Sequence, residues 1–344
     1  MIPQGVPQSN LPCWTGIDVA KSSFQAALLI PGRNRPQPPL RDLATCSFPR
    51  TPDGVKAFCA WLDEEGAGPD TRAVMEATGI YSEELAIMFL QYRPELVPAI
   101  ANPQQTSAFT KSLGLRNKTD ALDARALARY GAERNPAPFE PAPPEYLALR
   151  RLVRHRQQLV EQSLSLGNIA GEGTDDKFVA QSRKLLLGSF AREIAKVEKK
   201  MRALFGQYAK LKADADLLES IYGVAFLTAS TVIAELGDLR RFARARQLVA
   251  FVGLSPRQHQ SGSSIDRPAH LCKRGNSRVR KSLYMAALTA IRDQGPMQRT
   301  YERLVASGKA KMSAIGAVMR KLLVLMRAML ISGKLYDRLW KTCA

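Results

Sequence analysis

Apolar and polar positions divide the chain into two kinds of pattern, changing near residue 135. The front part carries short apolar runs of strand length. "WTGIDVAKSSFQAALLI" (14–30) predicts two strands, with Lys21, Ser22 and Ser23 supplying the turn. "LATCSF" (43–48) predicts a third, "TRAVMEA" (71–77) a buried strand ending at Glu76, and "ELVPAI" (95–100) a fifth. A helix is expected from Asp53 to Glu65, with Val55, Phe58, Trp61 and Leu62 on one side, and another from Ile80 to Tyr92. Strands first, then strands alternating with helices, describe an α/β domain with a mixed sheet. "RNKTDALDARALARY" (116–130) closes this part as a helix, with Thr119 as its N-cap and a run of strong helix formers behind it.

"NPAPFEPAPPE" (135–145) is too rich in proline to continue a helix and reads as a linker. From Tyr146 to about Leu218 no strand pattern remains. Phe190, Ile194, Val197, Met201, Leu204, Tyr208 and Leu211 alternate spacings of four and three, the seam of a coiled coil. Leu152, Leu159 and Leu166 recur at sevens in an earlier arm, and "GNIAGEGTDD" (167–176) offers a turn that folds one arm back on the other. Such an antiparallel pair suits the joining of protomers or the extension of a basic arm. From Leu217 the pattern is compact and helical. "IYGVAFLTASTVIAELGDL" (221–239) sets a Gly223 turn between helices and closes the second with Gly237. That spacing resembles a helix-hairpin-helix, whose turn amides can hold a DNA phosphate; a purely structural helical hairpin has the same pattern. The final helix turns Ile315, Val318, Leu322, Leu325 and Met329 inward. The expected divisions are a Pro-rich leader (1–13), the α/β domain (14–134), the linker (135–145), a helical coiled-coil segment (146–216) and a mostly α C-terminal domain (217–344).

Composition narrows the partners. Lys and Arg number 50 against 31 Asp and Glu, for a formal charge of +19, which calls for a polyanion, nucleic acid ahead of a membrane surface. A basic surface without such a partner is the bland alternative. With 45% hydrophobic residues there is ample core material. Five scattered cysteines (Cys13, Cys46, Cys59, Cys272 and Cys343) form no C-x-x-C pair, which argues for a reducing compartment and against a disulfide framework or structural zinc. The N-terminus lacks a signal-peptide pattern, and "AIGAVMRKLLVLMRAMLISG" is interrupted by Arg320, Lys321 and Arg327. A soluble, cytoplasmic protein, nucleoid-associated when acting, is expected.

Four acids stand out. Asp18 lies between Ile17 and Val19 in the first strand, where a carboxylate is out of place unless paired or liganding. Glu76 ends an apolar strand. Asp120 and Asp123, three apart, share one face of their helix. Each alone is explained by a lysine partner or a cap. Together, in the order strand, strand, helix, helix, they fit the oxygen donors that phosphoryl-transfer sites use to hold a divalent magnesium (or manganese) ion.

"GIDVAK", "MEATGIY" and "NKTDALDARALA" resemble the acidic motifs of the DEDD transposases of the insertion-sequence one-ten family. The resemblance implies a RuvC-like (RNase H-like) N-terminal domain, with Asp18, Glu76, Asp120 and Asp123 as its metal-binding tetrad. Lys118 belongs to the same block, and the arginines nearby, Arg125 among them, would serve phosphates. Further on, "FVGLSPRQHQSGSSIDRPAHLCKRGNSRVRKSLYMAA" (251–287) reads on its own as a Gly/Ser loop in a basic wall, with Arg257, Lys273, Arg274, Arg278 and Arg280 as phosphate contacts. Serines there are ordinarily turn formers. "ELGD-x-x-RF", "GL-x-P-R" and "SG", followed by "K-R-G-N-x-x-x-R", are similar to the family's C-terminal transposase domain. That similarity implies Ser261, just before Gly262, as the nucleophile, with Ser263 and Ser264 one or two residues away.

A serine hydroxyl needs activation by a base or a metal. No Asp–His partner for Ser261 is evident; His259 and His270 read as surface or phosphate-contacting residues, and Cys272 as a small buried residue. The resemblance implies a composite site between the acidic domain of one subunit and the serine domain of another, a 5′-phosphoserine intermediate, a structured guide RNA and a tetramer built as a dimer of dimers. Nothing resembles an RRM, so RNA would be held through shape and phosphates. Two other readings stay open: a Holliday-junction-type nuclease in which the acids alone activate water, and a non-enzymatic nucleic-acid-organising protein.

Overall fold

The computed structural model describes residues 12–31, 38–115, 117, 119–171, 173, 176–261 and 265–337, with only the backbone described over 257–261 and 265–270. It divides into two compact units, with the boundary between Pro141 and Ala142. Lys118, Gly262, Ser263 and Ser264, most of the leader and Cys343 lie outside the described residues.

The first unit follows the sequence pattern closely. Its strands are β1 (Trp14–Val19), β2 (Ser23–Leu29), β3 (Ala44–Pro49), β4 (Arg72–Glu76) and β5 (Val97–Ala101); its helices are α1 (Pro52–Glu64), α2 (Ile80–Tyr92), α3 (Pro103–Ser112) and α4 (Asp120–Arg134). The sheet order is β3-β2-β1-β4-β5, antiparallel across β1, β2 and β3 and parallel from β1 through β4 to β5. This five-stranded mixed sheet is consistent with the expected RNase H-like class. Strand alternation sorts the side chains onto two faces. Ile17 and Met75 join Phe24, Phe48, Phe58 and Phe89 in a core with α1 and α2. Trp14 and Val74 point the other way, toward Phe109 of α3 and Leu127 and Tyr130 of α4. Helix α3, missed in the sequence, begins with Asn102 as N-cap, its side chain accepting from the Gln104 amide, and Pro103 in the first turn.

Among its described residues the second unit is helical apart from one hairpin. Helices α5 (Pro144–Gly171) and α6 (Lys177–Gln207) run antiparallel: Arg156 Nε donates to Glu198 Oε1 at 2.6 Å, and Arg183 Nη1 donates to the Ile169 carbonyl at 3.2 Å. The expected seam departs from a continuous coiled coil at its C-terminal end. Helix α6 stops at Gln207, Tyr208 is exposed, and α7 (Ala209–Glu219) starts afresh. Val197, Met201 and Phe205 are instead absorbed into a large helical core with Tyr146, Leu149 and Val153 of α5. The physical reason is that Phe205, four beyond Met201, takes the buried position the heptad spacing assigned to Leu204.

Beyond α7 come α8 (Phe226–Leu236), α9 (Ala245–Val252), β6 (Pro256–Ser261), β7 (Ile265–Leu271), α10 (Ser277–Ala290), α11 (Pro296–Ala306) and α12 (Lys311–Ser332). The Gly223 turn joins α7 to α8 as expected, at φ 91°; a Cβ there would come within 2.7 Å of the Ala286 carbonyl oxygen, so the turn needs glycine both for its backbone and for its packing on α10. On α12, Ile315, Val318, Leu322, Leu325 and Met329 are buried as expected. Among the described residues no helix is long and apolar enough to cross a membrane.

Candidate active site

Two strand ends and one helix start define the acidic end of the first unit. β1 and β4 run parallel with Ile17 opposite Met75, so Asp18 and Glu76 follow as neighbours at the C-terminal ends of adjacent strands. Ile17 and Met75 face the α1/α2 core, which turns the next residue of each strand to the α3/α4 side. Helix α4 crosses β1 there in the opposite direction. Gly131 lies on Trp14, and Gly16 is so close to the Ala124 carbonyl and the Ala128 amide that neither glycine has space for a Cβ. Following that crossing toward the C-terminal end of β1 brings the first turn of α4, with Asp120 and Asp123, to the end where Asp18 and Glu76 lie.

Local chemistry fixes two of these acids further. Thr119 caps α4, its Oγ1 accepting from the Leu122 amide at 3.3 Å, which starts the helix at Asp120. Thr106 of α3 donates its hydroxyl to Glu76 Oε2 at 2.9 Å. Asp18, Glu76 and Asp123 are half-buried and Asp120 is exposed. The donor set is all carboxylate oxygen, the chemistry a hard divalent ion takes. Among the described residues, however, no three Asp, Glu, His or Cys side chains converge closely enough to hold a metal. The four acids share an end and a face without forming a closed cage.

The arginines near the acids have work in the fold. Arg125 Nε donates to the Leu43 carbonyl at 3.2 Å, and Arg129 Nη2 donates to the Pro38 carbonyl. Both brace α4 against the chain that precedes β3.

In the second unit, described strands pair on either side of residues 262–264, which themselves lie outside the described residues. β6 and β7 pair antiparallel from Pro256–Leu271 out to Ser261–Ile265, with a register irregularity between Arg257 and His259. Ser261 is the last residue of β6, at the turn end of the ladder. The hairpin base is held by backbone: Cys272 N–H donates to the Ser255 carbonyl at 2.8 Å and Lys273 N–H to the Gly253 carbonyl at 3.0 Å. Lys273, Arg274 and Arg278 are exposed beside that base, while Arg280 Nη1 donates to the Val252 carbonyl at 2.8 Å.

Beneath the base lies a buried network that the sequence reading missed. Glu235 of α8, its side chain 1% exposed, accepts from Arg154 Nε at 2.8 Å and Nη2 at 3.0 Å, and from Asn276 Nδ2 at 2.9 Å. Asn276 also caps α10, accepting from the Val279 amide at 3.1 Å. Burial pushes the Glu235 carboxyl up, but hydrogen bonds from Arg154 and Asn276 and the charges of Arg154 and Arg278 outweigh it and hold the group below its ordinary range. Glu235 and Asn276 belong to the "ELGD" and "KRGN" blocks; Arg154, on α5, carried no signal beyond its charge.

Comparisons with known proteins bear on both units. Residues 15–169 match a family model of DEDD transposases of IS110 elements, and residues 215–302 match the Transposase IS116/IS110/IS902 family. The chain belongs to the IS110 family of transposases. Over 334 residues it is 29% identical to the pilin gene-inverting protein of Moraxella bovis, covering 94% of this chain and 98% of that protein; the Moraxella lacunata protein of the same name matches to the same extent. The transposase for insertion sequence element IS1111A of Coxiella burnetii is 29% identical over 220 residues, 56% of this chain and 59% of that one. Membership gives this IS110-family chain the activity class of a DNA transposase or recombinase.

Proposed function

We propose that the chain cleaves and rejoins the DNA of a mobile element through Ser261, with Asp18, Glu76, Asp120 and Asp123 as the metal-binding partners of that serine. The Ser261 hydroxyl oxygen forms a bond to a DNA phosphorus as the bond to the 3′ oxygen breaks, leaving a 5′-phosphoserine and a free 3′-hydroxyl. The proton released by Ser261 ends on that leaving oxygen. In the second step a 3′-hydroxyl attacks the phosphoserine, the new phosphodiester forms, and Ser261 regains its proton. Each step exchanges one phosphate ester for another, so no nucleoside triphosphate is required. A magnesium or manganese ion held by the four carboxylates would lower the pKa of the attacking hydroxyl and stabilise charge on the phosphate.

The observation that supports this reading is the parallel register of β1 and β4, in which Ile17 lies opposite Met75 and Asp18 and Glu76 are the next residues of adjacent strands. The wider reading is a composite site, with the acids of one subunit serving the serine of another, in a tetramer whose α5/α6 arms join protomers. An element-encoded noncoding RNA pairs with donor and target DNA, and the protein holds it through phosphates.

The test is incubation with element-end DNA, Mg²⁺ and the transcript flanking the element, followed by denaturation. A DNA-linked protein that disappears in Ser261→Ala is the expected result. Cleavage that persists in Ser261→Ala and is lost in Asp120→Asn would assign the chemistry to the acids alone. Salt-sensitive binding with neither adduct nor cleavage would leave an organising protein.

A further inference from the structure

The α11–α12 hairpin gathers three cations that no acid among the described residues answers. Arg299 and Arg303 lie four residues apart on α11, one turn along the same face. Lys321, half-buried on α12, donates its Nζ to Thr300 Oγ1 at 2.8 Å. The Thr300 hydroxyl in turn donates to the Pro296 carbonyl at 2.7 Å, so it serves as acceptor to Lys321 and leaves two ammonium N–H groups to be satisfied elsewhere. Among the described residues no carboxylate forms an ion pair with Arg299, Arg303 or Lys321; Glu302, on the same helix, is exposed and makes none. Burial, then the charges of Arg303 and Arg299, holds the Lys321 ammonium below its ordinary range.

For the chain alone this arrangement is unfavourable on three counts. Like charges at i and i+4 repel, a partly desolvated ammonium loses hydration, and it does so among cations. An anion seated over Thr300 reverses all three, since it gives both guanidinium groups an acceptor and supplies the missing partners of Lys321. The spacing suits a polyanion whose charges recur along a line. From this geometry we infer that Arg299, Arg303 and Lys321 form a binding site for the phosphodiester backbone of a nucleic-acid strand. The inference rests on the reading of the partner as nucleic acid but not on Ser261 or on the metal.

The full chain is probed by amine acetylation and mass spectrometry, alone and with a random-sequence DNA duplex, an RNA of matching sequence, or inorganic phosphate. Exposed Lys309 and Lys311, in the turn before and the first residue of α12, serve as internal references. Protection of Lys321 beyond that of the references, by DNA or by RNA, is expected, with the two arms telling which strand tracks the site. In Arg299→Gln/Arg303→Gln that excess protection should vanish and the salt slope of binding should fall by roughly one per cation removed. The same variant should melt higher than the parent when no nucleic acid is present, which a merely structural role for the arginines would not produce. Equal protection at all three lysines, or an unchanged salt slope with a lower melting temperature, would overturn the inference. Loss of the Ser261 adduct reaction with Lys321 still protected would count against the serine mechanism and leave this site standing.

Discussion

Glu235 and Asn276 meet at 2.9 Å beneath the base of the hairpin that carries Ser261, joining α8 to the N-cap of α10. Arg154 completes the contact from α5 with two donors on the same carboxylate. Glu235→Gln keeps the shape but removes the charge that Arg154 faces. With Arg154 about a third exposed, the loss is put at about 2–3 kcal/mol, below the range for a fully buried pair. The pH dependence follows from the same contact. A carboxyl whose folded pKa is depressed contributes stability above its unfolded value, about 4.3, and that contribution fades as pH falls through the folded pKa. Denaturant titrations from neutral to acid pH should therefore show the difference between parent and Glu235→Gln shrinking at low pH. A difference that stays constant across the series would mean the ion pair is not the source.

Gly16 is the point where α4 presses onto β1. Any Cβ there would collide with the Ala124 carbonyl and the Ala128 amide, which are backbone and cannot rotate away. Gly16→Ala should cost about 1–3 kcal/mol of stability, the usual range for overpacking, and should displace the first turn of α4 from the strand ends. Activity is expected to fall by more than the melting temperature alone accounts for, because Asp120 and Asp123 ride on that turn. A variant as active as the parent at a temperature where both are folded would break the link between this crossing and the acids.

Thr106 tests whether Glu76 is a working carboxylate. Its hydroxyl donates to Glu76 Oε2 and orients the group from α3. Thr106→Val keeps the volume and deletes the donor. If Glu76 binds metal, apparent metal affinity should drop roughly 10- to 100-fold, the size typical for a lost partner of a metal ligand, with saturating metal restoring most of the rate. A loss of rate that no metal concentration restores would instead point to a folding defect.

The first unit was legible because its signals agree. Short apolar runs of strand length marked β1 through β5, and the helix expected from Ile80 to Tyr92 is α2. Asp18 and Glu76 stood out because one lies within an apolar strand and the other ends one; their adjacency did not, since parallel register between strands more than fifty residues apart leaves no local trace. Helix α3 was missed because "NPQQTSAFTKS" buries only Thr106 and Phe109. The hairpin was missed for a related reason. "PRQHQS" has no apolar face, and Pro268 within "IDRPAHL" argues against a strand, although a two-stranded ribbon leaves each strand an edge that tolerates proline. The seam through Tyr208 failed because heptad spacing does not reveal where a helix stops.

The hairpin base offers the sharpest contrast between two glycines. Gly275, at φ 140°, packs against Phe251 and Val252, with its would-be Cβ pressed onto the Phe251 carbonyl oxygen and 2.8 Å from the Val252 carbonyl carbon. Gly237, at φ 67°, closes α8 with nothing within 4 Å of the same position. Alanine at Gly237 meets only backbone strain, about 1 kcal/mol. Alanine at Gly275 adds a collision that the hairpin base must absorb, which raises the cost to roughly 2–4 kcal/mol. Hydrogen exchange separates them: Gly275→Ala should speed exchange of the β6 and β7 ladder amides and lower adduct formation while DNA binding persists. Gly237→Ala should leave the ladder protected. If both variants loosen the ladder equally, the hairpin is not held by the packing of Gly275, and its orientation must be set elsewhere.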